Sequence, residues 1–280
     1  MDINKLDEFL CAKDLEGCSK QTLKLYSFTI KKLLQYYDNK QAVDISTMEI
    51  RNFLIEYKEN HKVSNVTLDN MRCIFQSFYN WLFDEGYVIK NPMDPIKKIK
   101  AEQIIKNPFT EEELEILRNN CKDIREKAIL EMLYSSGMRV GELALLDIKD
   151  IDFINNKTII FGKGAKEREA YFTVKARMLL QEYIKTRTDN NEALFVGSRM
   201  PHNRLQISAY QKILRELGER SGIKCHPHKF RRTCATTLLN KGMSVEEISK
   251  LLGHAKIETT MGYCQVNQNR VKDDHSRYMN

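Results

Sequence analysis

The residue types that can do chemistry crowd into one stretch of this chain. Between Cys225 and Tyr263 lie His226, His228, Arg231, Arg232 and His254. His228 and Arg231 are three residues apart, so on a helix they share a face, with Arg232 beside them. An imidazole and a guanidinium pointing the same way suit an anion with several oxygens, such as phosphate. Upstream, Arg139 follows the break Ser135-Ser136-Gly137 and has Glu142 three residues on, a spacing that fits either an ordinary surface ion pair or part of a site. Lys163 sits in Gly162-Lys163-Gly164, which lacks the spacing of a phosphate-cradling P-loop and reads instead as a pliable turn.

These groups need elements to hold them. Pro227 fits the first turn of a helix, where its missing N–H costs nothing. Leu238, Leu239, Ile248, Leu251 and Leu252 supply an apolar anchor behind the polar groups. Ser244-Val245-Glu246-Glu247 is a capping box for the next helix, and Gly253 can close it, which leaves His254 just past a helix end. Around Lys163 the period changes to two. Residues 152–154, 158–161 and 169–172 read as strands, joined by Asn155-Asn156 and by the glycine turn. Helices follow near Lys175–Thr186 and Ser208–Ser221.

The first 89 residues read as four helices. The first spans Lys5–Lys13; Ser19 and the box beginning at Ser46 start the second and third; the fourth runs from Asn65 to Glu85, with Gly86 to end it. Its stripe of Leu68, Met71, Phe75, Phe78, Trp81 and Leu82 is core. The lysines of this unit face solvent or a phosphate backbone. Residues 90–108 hold three of the five prolines and five lysines, and read as an extended basic linker that lies along DNA or merely keeps two domains apart. The expected division is 1–89, 90–108 and 109–280. The fold class is mainly α with a small antiparallel sheet.

Composition narrows the setting. A charge of +7 favours a polyanionic partner. It is concentrated in residues 101–280, at +6 against +1 for 1–100, but both signs are mixed throughout, so contacts must come from local patches. No run of about 20 apolar residues and no basic-then-apolar leader suggests a membrane span or secretion. Seven scattered cysteines without a CxxC pair read as reduced thiols.

Arg139 in SGMRVGEL, Lys163 in its hairpin, His228-Lys229-Phe230-Arg231, LLGH ending at His254, and Tyr263 occur in an order that resembles the tyrosine recombinase family of phage integrases and Xer proteins. The resemblance covers residues 5–270. It implies an N-terminal core-binding, SAM-like domain, a catalytic domain, and no additional arm-binding domain. It also implies DNA cleavage and rejoining by transesterification through a 3′-phosphotyrosine, in a tetramer that passes through a Holliday junction.

The chemistry of the residues agrees. Two guanidinium forks, Arg139 and Arg231, can stabilise charge on the non-bridging oxygens of a pentacoordinate phosphorus without a metal. Tyr263 is then the nucleophile, its pKa of about 10 lowered by nearby cations. His228 is the base, His254 a hydrogen-bond donor to the phosphate, and Lys163 the acid for the leaving 5′ oxygen. Glu142 buttresses Arg139. Arg232 stands where many relatives carry histidine and adds phosphate affinity. Lys97, Lys98, Arg204, Lys212, Arg215 and Lys229 are candidate DNA contacts, with the helices at Asn65–Glu85 and Ser208–Ser221 candidates for the grooves. No metal or cofactor is expected.

The expected partner is duplex DNA at short inverted core half-sites, bound by a homotetramer with or without a second recombinase. The expected location is cytoplasmic and nucleoid-associated, in element integration and excision or in dimer resolution. Residues after Tyr263 are expected to dock on a neighbouring protomer. The competing readings are a DNA binder that does not cut, a metal hydrolase built on Cys225, His226, His228, Cys234, His254 and Cys264, and a nicking topoisomerase.

Overall fold

The computed structural model describes residues 3–101, 107–161 and 167–253. The chain separates into two compact units, 1–104 and 105–280.

In the first unit, helices α1 (Ile3–Leu15), α2 (Lys20–Tyr36), α3 (Thr47–His61) and α4 (Asn65–Asp84) enclose an aromatic core. Their starts are set by side chains. Ser19 accepts the N–H of Thr22, Ser64 that of Thr67, and Ser46 with Glu49 forms a complete capping box. Lys40 and Ser46 donate to Glu49 and hold its carboxyl down at about 2. The apolar faces that these caps align meet at Phe9, Phe75 and Phe78, all fully buried, with Phe9 and Phe78 edge to face at 5.3 Å.

Residues 90–101, part of the expected extended basic linker, pack against the first unit. Met93 and Ile96 are buried in the helical core. The carbonyls of Pro92, Pro95 and Lys100 accept from Thr47, Arg51 and Asn65, and the Ile99 N–H donates to Asp69 at 2.9 Å. Proline forbids helix here but not burial, and the exposed strap carries Lys97 and Lys98 on its outside.

The second unit contains helices α5 (Glu111–Asn119), α6 (Ile124–Ser136) and α7 (Val140–Leu145), and then strands β1 (Ile151–Asp152), β2 (Lys157–Phe161) and β3 (Glu167–Tyr171). After the sheet come α8 (Val174–Lys185), α9 (Ile207–Ser221), α10 (Pro227–Asn240) and α11 (Val245–Leu252). The strands run antiparallel in chain order, with Ile160 opposite Arg168 and Thr158 opposite Ala170. Asn156 takes φ +53° in the first turn, as its residue type permits. The second turn, 162–166, lies outside the described residues.

Helix α6 is the central strut, buried from Ala128 through Leu133 and packed against both α8 and α10. Its two buried carboxylates are paired, Glu131 with Arg118 and Lys175, and Glu126 with Arg220 and Lys122. Phe230 of α10 is fully buried against Phe109, which locks the chemistry-bearing helix to the unit's core. Among the described residues no helix is long and apolar enough to cross a membrane.

Candidate functional site

Gly137 ends α6 at φ +60°, where a Cβ would meet Leu252 at 2.7 Å, so only glycine lets the chain turn this close to α11. The turn delivers Arg139 to the start of α7. There Glu142 receives the Arg139 backbone N–H at 2.6 Å and its guanidinium Nη1 at 2.8 Å. The sequence spacing of three therefore lets Glu142 cap the Arg139 backbone N–H and pair with its guanidinium at once, with Glu142 buried and Arg139 partly exposed.

Helix α10 begins at Pro227, and the Nδ1 of His226 accepts the N–H of Lys229, so His226 is the cap. Burial, reinforced by Arg232 and the neighbouring cations, pushes the His226 pKa down. Two residues on, His228 is exposed, whereas Arg231, three residues further, is only 4% exposed. Arg231 donates to the carbonyls of Gly137 at 2.7 Å and Leu252 at 2.5 Å. Arg139, His228 and Arg231 line one groove of about 630 Å³, together with Glu142, Phe161 and Arg204. A second concavity of about 700 Å³ adjoins it at Val140, Pro227 and His228 and is bordered by Gln211 and Arg215 of α9.

The end of α11 is held by three arginines. Arg168 Nη1 donates to the Leu251 carbonyl at 3.0 Å, Arg231 to Leu252, and Arg139 Nη2 to Gly253 at 3.2 Å. The last carbonyls of a helix lack intrahelical donors and form its negative end, so cations there are favourable. Arg168 was not singled out from the sequence. Its signal is a basic residue at an inward position of β3, alternating with Ala170. It also donates to Glu142 Oε2 at 2.8 Å, and burial and nearby Arg139 lower its pKa despite that partner.

Three candidates, Lys163, His254 and Tyr263, lie outside the described residues. Of the remaining candidates, several are engaged within the protein rather than presented outward. Arg204 donates to the carbonyls of Ala144 and Leu146 and pairs with Asp147, bracing the loop after α7. Lys229 is tucked over the Phe109 ring and pairs with Glu113 at 3.1 Å. Arg232 is buried and donates to the Asn107 carbonyl, tying α10 to the segment that enters the unit. Lys212 and Arg215 are about two-thirds exposed, with loose partners in Glu216 at 3.7 Å and Glu219 at 3.8 Å, so α9 does present cations beside the site. Burial pushes the thiols of Cys225 and Cys234 up to about 12, leaving them protonated and inert at neutral pH. Among the described residues no three His, Cys, Asp or Glu side chains gather as ligands for a metal ion.

The arrangement is therefore a cationic groove in which two guanidinium groups and an imidazole converge. Residues 100–270 match the phage integrase family, and residues 6–88 match the phage integrase N-terminal SAM-like domain. The tyrosine recombinase XerD of Oceanobacillus iheyensis is 33% identical over 94% of this chain and 93% of its own. The crystal structure of XerA recombinase superposes with a TM-score of 0.57 at 26% identity, covering 99% of both chains. A lambda integrase tetramer bound to a Holliday junction shares the fold, with a TM-score of 0.77 at 18% identity over 93% of this chain and 76% of that one. This chain belongs to the phage integrase family and is a site-specific tyrosine recombinase, an enzyme that cleaves and rejoins DNA.

Proposed function

We propose that Tyr263 attacks the scissile phosphodiester and becomes joined to the 3′ phosphate while the 5′ oxygen departs. In this reading Arg139 and Arg231 stabilise the charge that grows on the non-bridging oxygens, His228 takes the tyrosine proton, and His254 donates to the phosphate. Lys163 gives a proton to the leaving 5′ oxygen, and attack by a 5′ hydroxyl on the phosphotyrosine reverses each step. No bound metal is required, since two guanidinium forks offer several N–H donors each.

The observation that carries this reading is the convergence of Arg139, His228 and Arg231 on one groove, with both arginines bound to the end of the helix that precedes Tyr263. The solved lambda integrase tetramer on a Holliday junction supports a tetramer here as well. In this reading it acts on duplex DNA at short inverted core half-sites, alone or with a second recombinase. The helical unit grips the core DNA with the polar face of α4, and Lys97 and Lys98 meet its backbone. Arg215 and Lys212 of α9 contact phosphates or bases beside the site. Residues 264–280 pass to a neighbouring protomer, and the enzyme works at the nucleoid in integration and excision or in dimer resolution.

Strand exchange tests this. Two duplexes of different length that carry the cleavage site, incubated with the enzyme in chelator, should give recombinant lengths and a four-way intermediate. Relaxation of any supercoiled DNA without exchange would mark a nicking topoisomerase instead.

A further inference from the structure

We infer that Arg168 is a positioning residue for strand cleavage, one that aligns the Arg139–Glu142 pair with the end of α11 and so fixes the backbone at Gly253. The inference rests on the roles proposed above for Arg139 and Tyr263.

Strand alternation turns Arg168 inward, and its side chain is 12% exposed. One planar group thereby joins three elements: β3 by its own backbone, α7 through Glu142, and α11 through the Leu251 carbonyl. Arg168 is not among the residues that line the groove holding Arg139, His228 and Arg231, so it acts through its neighbours.

Its first effect is on Glu142. That carboxylate receives Arg139 Nη1 on one oxygen and both the Arg139 N–H and Arg168 Nη2 on the other. Without Arg168 the second oxygen keeps only a backbone donor, and the carboxylate that orients the Arg139 guanidinium gains rotational freedom. Its second effect is on the chain just before His254. Gly253 has φ +65°, and a Cβ there would lie 2.6 Å from Arg168 Nε and 2.8 Å from its Cδ. The last described residue thus rests directly on the Arg168 stem, with its carbonyl bound by Arg139. An error of about 1 Å in a reacting group can cost about 100-fold in rate while ground-state binding is kept.

The test compares full-length wild type, Arg168→Gln and Arg168→Lys on a nicked duplex bearing the site that wild type captures covalently from a fragment library. Half-site affinity is read by gel shift, and cleavage is read at saturating DNA. Arg168→Gln is expected to bind within about 2-fold of wild type but to cleave about 100-fold more slowly, because geometry rather than contact is lost. Arg168→Lys keeps the charge but cannot hold both acceptors, and falls between the two. Adding Glu142→Gln to Arg168→Gln should cost much less than the product of the single effects, since both act on Arg139.

Cleavage by Arg168→Gln at the wild-type rate overturns the inference, as does an equal fall in affinity and cleavage, which marks a merely structural loss. If Arg168→Gln does not fold, Arg168→Lys decides, and wild-type cleavage by it overturns the inference. A wild type that captures no DNA overturns the proposed chemistry and this inference together, whereas a wild type that cuts separates the two.

Discussion

Replacing Arg231 by lysine should slow cleavage at saturating DNA about 100- to 1,000-fold, the range seen when one preorganised donor to a developing oxyanion is removed. Arg231 is 4% exposed, and its two terminal nitrogens are set by the carbonyls of Gly137 and Leu252. These bonds fix the plane of the guanidinium before DNA arrives. An ammonium retains the charge but not the plane, and it cannot bridge two acceptors on opposite sides while offering a fork to phosphate. One buried carbonyl would then lose its donor, so stability should also fall, by about 1–3 kcal/mol. Thermal melts and single-turnover cleavage on nicked duplex separate the two effects. A lysine variant that melts lower yet cleaves at the wild-type rate would remove Arg231 from the chemistry.

Glu142→Gln is expected to destabilise the second unit by about 3–5 kcal/mol, the usual cost of removing one member of a buried ionic group. The carboxylate is 7% exposed and lies between Arg139 and Arg168. An amide of the same size removes the negative charge and sets an NH2 group against one guanidinium, leaving the buried Arg168 cation without its counter-charge and beside partly exposed Arg139. Urea unfolding at neutral pH measures the loss. Cleavage should fall as well, because Arg139 is no longer held. A change below about 1 kcal/mol would place the cluster among solvent-screened pairs and would undo the argument that Glu142 is the hub.

Much of the framework was legible because it is written in local chemistry. Capping boxes at Ser46 and Ser244 start α3 and α11 where their residue types require. Pro227 opens α10, and Asn156 turns the first hairpin. Arg139 with Glu142 follows from the spacing of a helix cap to its first turn, and His228 with Arg231 from helical spacing.

The partners of several arginines leave no trace in the sequence. Arg168, Arg204 and Arg232 find their acceptors in the backbone carbonyls of Leu251, Ala144 and Asn107, which are remote in sequence. Every residue has a carbonyl, so such a partner leaves no signature of residue type. Lys229 is drawn over Phe109 and to Glu113, side chains remote in sequence that only tertiary packing brings to it. In the strap after α4, prolines and lysines drew attention away from Met93 and Ile96, whose apolar side chains decide where the segment lies.

Covalent capture tests the central claim most directly. Wild type and Tyr263→Phe are incubated with a library of nicked DNA fragments in chelator and denatured, and the DNA joined to protein is sequenced at its junctions. Wild type alone should yield adducts, linked through a 3′ phosphate and converging on one sequence. Adducts of equal yield from Tyr263→Phe would contradict the assignment of the nucleophile and the mechanism built on it.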